Sequence, residues 1–504
     1  MNHPLRLLLS ILVLCASTGC ASFPAPTGEV SLLLTETPLP VPSSTTAPTL
    51  TQTPPVDSSP TPAGAQTDSP DATGPWLVII TPDSLWTIRP NGTGLTKVYD
   101  GHILAPQDAS VMPAPAGGFA AFITGDSRLR NLTLNLLTLP RALALTIPLT
   151  APEYEPLEDS SPGDPEMEAA RAVVERTSFA WSSGGSQLAF MGMREGPSSD
   201  LYTFSMVNFW GVNPEQVESG ITRWTDGPSQ AISPSWSPDG RYILHAGVNT
   251  LGTGAGYDMA GVWAVDTETG AVLDLYTPEE SVAETFISWQ DEDTFLVHSW
   301  SPVCGNERLR TVDIPSGETN MIWEGAFNGV AFATELGNGK LLVSLDTYVS
   351  TCKGKVGPGL FQLFGPEYPA PLVLLSEEVF LPVWDQESQL FFARTKENVY
   401  AFRQDSLDVF SIIQLEVPAP VLPSPSRWGQ RLAWALPSGV WVGTLDGPPV
   451  HIFSSPASLP VWSPEGETLF FVAQEGLYVA HSLDFVPQLV GEGVFGMGAF
   501  WVNP

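Results

Sequence analysis

Positive charge is scarce in this sequence: 21 Lys and Arg stand against 54 Asp and Glu, a formal charge of −33 over 504 residues. No block of Lys and Arg interrupts that balance, so a nucleic-acid partner is excluded, because phosphate binding depends on clustered cations. The acidity reads as solubility through mutual repulsion. Only four cysteines are present, and two of them, Cys15 and Cys20, belong to the first twenty residues. The apolar run from Leu7 to Ala16 is too short for a comfortable membrane span. Linear signatures of catalysis are missing too: there is no GxSxG elbow, no hydrolase-sized region beside the repeats, and no Walker or dinucleotide loop. The spacing of SPDG does not suit the Asp-box of sialidase-type propellers. These absences lead to the expectation of a chain with no catalytic residue, no cofactor and no metal, and no enzymatic role.

What is present begins with MNHPLRLLLSILVLCASTGC, one Arg followed by an apolar stretch and then small residues. It reads as a cleaved export signal. STGC at 17–20 resembles the lipobox of bacterial lipoproteins, which implies lipidation of Cys20 and a membrane-anchored body facing the periplasm or the cell exterior; Ser17 departs from the usual Leu. Residues 21–74 hold 11 Pro and 18 Ser or Thr with no Lys or Arg. Such a stretch cannot bury enough apolar surface to offset chain entropy, and a disordered, extended linker is expected.

From residue 75 the texture changes to short β-branched and aromatic runs punctuated by Gly, Pro, Asp and Asn, and one phrase recurs. TSFAWSSGGSQLAFMG at 177–192, SPSWSPDGRYILHAG at 233–247 and TFISWQDEDTFLVHSW at 285–300 are three copies. Others follow at 329–345, 380–395, 424–436 and 458–473, with a weaker copy at 110–124. The anchors Trp181, Trp236, Trp289, Phe332, Trp384, Trp428 and Trp462 are spaced for four strands per repeat, the signature of a propeller blade. Each anchor is expected to end a first strand and fill the wedge between sheets; Pro238 and Gly240 then reverse the chain. The last segment, GVFGMGAFWVNP at 493–504, looks like a first strand ending at Trp501, and the strands it lacks stand at 76–80, 84–90 and 95–101. Pairing of the two ends closes the ring and removes exposed edges. The expected fold is therefore all-β: a single propeller over residues 75–504, of eight four-stranded blades within a range of seven to nine.

WSPDG at 236–240, WSPEG at 462–466 and NGTGLTKVYDG at 91–101 resemble the repeat of TolB-like β-propellers. That repeat occurs in periplasmic scaffolds and in the propeller of prolyl-oligopeptidase-like enzymes, so the resemblance implies architecture and not activity. VDTETGAVLDL at 265–275 resembles a strand-turn element of quinone-cofactor propellers, in one copy only.

Candidate sites follow from the register. The loops at 193–200, 248–261, 301–307 and 346–359 join second to third strands and share one face, where binding is expected. Cys304 and Cys352 fall in two such loops of adjacent blades; an exported pair so placed reads as a disulfide clamp, the alternative being a reactive or metal-binding pair. His245 and His298 each stand nine residues after their Trp, a position held by Phe190 and Phe471 in other copies, so packing is weighed above metal binding. Residues 151–177 form an acidic insertion, read as a solvated excursion or as a flap that meets a partner or cation. The leading functional reading is a scaffold that binds a protein or envelope polymer through the long-loop face. Two alternatives stand beside it: a hydrolase or lyase acting on glycan or peptide through acidic residues at the channel mouth, and a small-solute sensor.

Overall fold

Each well-kept copy of the phrase folds as a hairpin whose turn is held by the serine that follows the first strand. In Gln230–Trp236 and Tyr242–Thr250 the Ser237 Oγ accepts from Tyr242 N at 2.8 Å and donates to Asp239 Oδ1 at 2.6 Å. Ser182, Ser426 and Ser463 receive the equivalent backbone N–H at 3.0, 3.0 and 3.1 Å. Gly240 closes the turn at φ +81°, a conformation that costs side chains with a Cβ.

The computed structural model describes residues 74–503 apart from internal stretches, among them 207–216, 252–257, 278–282, 301–306, 346–358 and 415–422. Its strands assemble into nine four-stranded antiparallel sheets, the upper end of the expected range and one more than eight. They are numbered in chain order as blades 1 to 9: blade 1 is the closing one, and blades 2 to 9 span residues 111–148, 179–223, 230–276, 283–325, 330–375, 380–414, 424–453 and 457–492. Blade 1 is built from Gly498–Val502, Trp76–Thr81, Ser84–Ile88 and Thr96–Asp100; Leu77 pairs with Trp501 and Val78 with Phe500. The chain ends thus meet in one sheet, as their patterns predict.

Among the described residues apolar clusters join blades 1 to 5 in succession, blades 6 to 9 in succession, and blade 9 to blade 1. Ile80, Phe122 and Leu137 join blades 1 and 2; Leu134, Phe190 and Tyr202 join blades 2 and 3. Met191, Leu201 and Ile243 join blades 3 and 4; Leu244, Phe295 and Val297 join blades 4 and 5. Similar clusters join blades 6 to 9 and return to blade 1 through Ile79 and Phe470. Because both sheet faces are covered, the second strands read as apolar runs, as in Thr468–Ala473, which is buried throughout.

Trp181, Trp236, Trp289 and Trp462 are buried at these seams. Phe332 and Trp384 lie on the strands Val330–Glu335 and Phe380–Asp385. Trp428 lies outside the described residues, as do Cys20, Cys304 and Cys352.

The acidic insertion is partly folded. Helix Pro165–Val173 starts with Pro at its first turn and buries Ala169, Ala170, Ala172 and Val173. Ala172 packs on Ile232, Val248 and Leu251 of blade 4, while Glu168 Oε2 accepts from Leu251 N at 3.0 Å. This part of the insertion is docked rather than solvated. Among the described residues no helix is long and apolar enough to cross a membrane.

Candidate functional site

Two carboxylates stand where first or third strands begin, on the long-loop face, and their surroundings differ in one respect. Asp200 opens the third strand of blade 3 and is 1% exposed. Its oxygens accept from Arg223 Nη2 at 2.8 Å, Gly227 N at 2.9 Å, and the Thr225 and Ser198 hydroxyls at 3.1 Å each. Its hydrogen-bonding capacity is filled, and it fastens the strand ends of one blade to the loop that leads into the next.

Glu284 opens the first strand of blade 5, opposite Ser299, with a side chain only 6% exposed. Oε1 accepts from Arg310 Nη2 at 2.6 Å and from Ser299 Oγ at 2.8 Å. Oε2 and Arg310 Nε are both buried, and the Tyr276 hydroxyl lies within hydrogen-bonding reach of both side chains. The Arg310 guanidinium carbon lies 4.4 Å from the centre of the Tyr276 ring. Burial first, then the Glu284 carboxylate, holds the Tyr276 phenol well above its usual range, so it keeps its proton at neutral pH. Alternation in the strands places all three side chains in the seam between blades 4 and 5: Phe286 and Val297, which share the face of Glu284 and Arg310, pack against the blade 4 cluster, and so does Tyr276. The arrangement is an anionic acceptor, a cationic donor and a protonated phenol gathered in one largely buried seam.

The histidines do not meet. Trp236 pairs with Ile243, seven residues on, whereas Trp289 pairs with Phe295, six residues on, because the turn of blade 5 is one residue shorter. Equal counting therefore puts His245 on the face toward blade 3 and His298 on the face away from blade 4. His245 stacks on Trp263 at 5.8 Å and 18°. Phe190 on Tyr202 and Phe471 on Tyr478 make the same cross-strand pair in blades 3 and 9. Both histidines are buried, at 4% and 6% exposure, in keeping with packing positions. Among the described residues no group of His, Cys, Asp and Glu is arranged to hold a metal ion.

Sequence reasoning missed the Glu284 cluster. Its members stand at 276, 284, 299 and 310, and no linear pattern joins them. The available signal was a Glu at the start of the strand Ala283–Trp289 and an Arg inside Glu307–Asp313, both unusual in a buried blade.

No protein-family model matches the chain, and no curated protein matches it. Solved structures do resemble it. One described as a eukaryotic initiation factor has a TM-score of 0.50 at 13% identity, covering 85% of this chain and 99% of its own. Dipeptidyl peptidase 4 of Porphyromonas gingivalis has 0.45 at 11%, covering 75% of this chain; this chain spans 58% of that enzyme's length. Oligogalacturonate lyase from Vibrio parahaemolyticus has 0.36 at 12%, covering 75% and 96%. At these identities the likeness is one of fold, the β-propeller. The expectation of a chain outside the enzymes is corrected to this extent: peptidases and a lyase are among the structures that resemble it.

Proposed function

We propose that this protein is a β-propeller hydrolase or lyase acting on a glycan or a peptide, with the long-loop end of the seam between blades 4 and 5 as its working site. The observation that supports this reading most directly is the buried Glu284 carboxylate, clamped by Arg310 and Ser299 with the Tyr276 phenol beside it. A carboxylate pre-positioned by charge-assisted bonds is suited to take a proton or activate a water, and the Tyr276 phenol, which keeps its proton, is suited to hold that carboxylate by a hydrogen bond. Sites of this kind gather residues from separate strands and leave no linear motif. The resemblance to TolB-like repeats and a lipid on Cys20 belong to the same proposal, which places the body outside the cytoplasm with an envelope polymer as substrate.

The test is incubation of the purified full chain with peptide and glycan libraries, product ends being read by mass spectrometry. Turnover that falls ~100-fold or more in Glu284→Gln, with a melting curve that shows the fold retained, is expected. No turnover of either library would overturn the reading.

A further inference from the structure

We propose that the exposed apolar rim between blades 8 and 9 is the docking site of residues 30–34 of this same chain, a contact that fixes which end of the ring faces the anchor. Val450, at 58% exposure, opens the outer strand of blade 8 opposite Val442, and Val442 packs in the seam toward blade 9. Leu489, at 42%, pairs with Tyr478, which packs in the same seam from the other side. The turn that precedes Leu489 adds Leu483 at 98% and Val486 at 53%. That turn is held in place: Phe485 N donates to His481 O at 2.8 Å, Val486 N donates to Asp484 Oδ1 at 3.1 Å, and the Phe485 ring packs edge-on to Trp462. The equivalent turns of blades 1, 4 and 5 are polar: NGTG at 91–94, TETG at 267–270 and PSGE at 315–318. Large apolar side chains gathered at one end of one seam, where other blades carry polar ones, mark a binding surface.

The sequence before the described body supplies the occupant. Among the Pro, Ser and Thr of residues 21–73 stands VSLLL at 30–34, uncharged and the one run of consecutive large apolar residues there. The body begins at the same end of the ring as the rim: Trp76 pairs with Val502, the last residue of the innermost strand of blade 1, so the chain enters from the short-turn end, one blade away from the 482–487 turn. Leu34 and Gly74 are 40 residues apart in sequence. A flexible coil of that length spans about 35 Å, and a Pro-rich one more, against roughly 10 Å between packed sheets. Tethering gives the segment an effective concentration in the millimolar range, so burial of a few Leu side chains suffices where a free peptide of that size would leave. A second copy fits worse, because it would bring together two molecules of formal charge −33. With the lipid proposed on Cys20, ten residues separate the anchor from Val30, so the short-turn end faces the membrane and the long-loop end points away from it. The orientation rests on that anchor; the docking does not.

The contact is read by photo-cross-linking of the purified full chain at dilution, with p-benzoylphenylalanine in place of Leu33 and the products mapped by peptide mass spectrometry. Cross-links within one chain to 449–453 and 482–489 are expected. A variant carrying Leu483→Ser and Val486→Ser is expected to lower their yield ~5-fold or more, as loss of two apolar contacts implies. Both of these side chains are exposed in the body, and a melting curve shows that the fold is kept. The same probe in place of Leu50, nearer to the body in sequence, is expected to show no preference for the rim, which separates recognition from reach. Cross-links spread over the surface overturn the assignment, as do cross-links that join two chains, a yield unchanged in the double variant, or no cross-link at all. Turnover of glycan or peptide does not enter this measurement, so the docking and the catalytic reading can each fail alone.

Discussion

The indole Nε1 of Trp236 donates to the carbonyl oxygen of Ala180 at 3.0 Å, from the end of one blade's first strand to the end of the preceding blade's. The same reach recurs around the ring. Trp181 bonds Met112 O at 3.3 Å, Trp289 bonds Ser235 Oγ at 3.0 Å, Trp462 bonds Ser424 O at 3.1 Å and Trp501 bonds Trp462 O at 2.6 Å. These anchors do more than fill the wedge: each of the five supplies one directed bond across its seam.

Replacing Trp236 by Phe keeps a ring in the seam and removes the directed bond. The Ala180 carbonyl is left without that donor, and the smaller ring leaves a gap. A loss of about 2 kcal/mol in unfolding free energy is expected from the two effects together. Urea denaturation followed by fluorescence reads it as a lower midpoint with an unchanged slope.

His245 gives a pH dependence. Burial lowers it from 6.5 to about 4, so it is neutral in the fold at neutral pH. Both ring nitrogens lack partners, and the facing side chains of blade 3 are Ala189, Met191 and Leu201, none of them titratable. The unfolded chain takes a proton on this residue below pH 6.5, while the folded chain resists until about 4. The stability present above pH 6.5 is therefore lost as pH falls through that window, by about 3 kcal/mol at pH 4. Phe at this place is what blades 3 and 9 already use. In His245→Phe the slope of stability against pH between 6.5 and 4 is expected to be shallower by that amount, with stability at pH 7 equal or higher. An unchanged slope would contradict the assignment.

Two glycines end tight hairpins on the side of the ring where the second-to-third-strand connections are short. Gly439 at φ +131° and Gly476 at φ +137° each place a would-be Cβ against a backbone carbonyl, of Phe453 and of Gly491. The obstacle is backbone in an edge pair, so it yields only by breaking that pair. Gly476→Ala is expected to destabilise by roughly 2–3 kcal/mol, the sum of backbone strain and displaced strand. Gly240→Ala, where nothing lies within 4 Å, carries only the cost of its φ and is expected to lose about 1 kcal/mol. Thermal unfolding of the two variants side by side checks the difference.

The scaffold was legible because its information is local. A Ser or its substitute after each Trp, a Gly at positive φ and a run of β-branched residues lie within fifteen residues of one another, and the same physics repeats in every blade. The ring closure was legible as well, since Gly498–Val502 lacks three strands that 76–100 supplies. The histidines show where counting fails. A turn shorter by one residue in blade 5 reverses the face of every later side chain on that strand, a change that spacing from the Trp does not reveal. The Glu284 cluster was invisible for another reason: its residues come from four strands of two blades, and only the register of Ala283–Trp289 with its neighbours brings them together.

Arg310 offers the sharpest separation between holding the fold and serving the site. Its side chain is 19% exposed and Glu284 only 6%, so the pair is largely removed from water. Removing the cation in Arg310→Ala leaves the carboxylate buried with only the Ser299 and Tyr276 hydroxyls as partners, and breaking such a pair costs about 3 kcal/mol. Glu284→Gln keeps the shape and can still accept from Ser299, but it leaves a guanidinium beside a neutral amide; being nearer the surface, that cation is rehydrated at smaller cost, about 1 kcal/mol. The double variant Arg310→Met with Glu284→Gln removes the unpaired charge altogether. Its stability is expected to exceed that of Arg310→Ala, because an uncompensated buried charge is worse than none. Unfolding free energies of the three variants check the order, and an Arg310→Ala protein as stable as the unmodified chain would show that Glu284 is reached by water from the long-loop face.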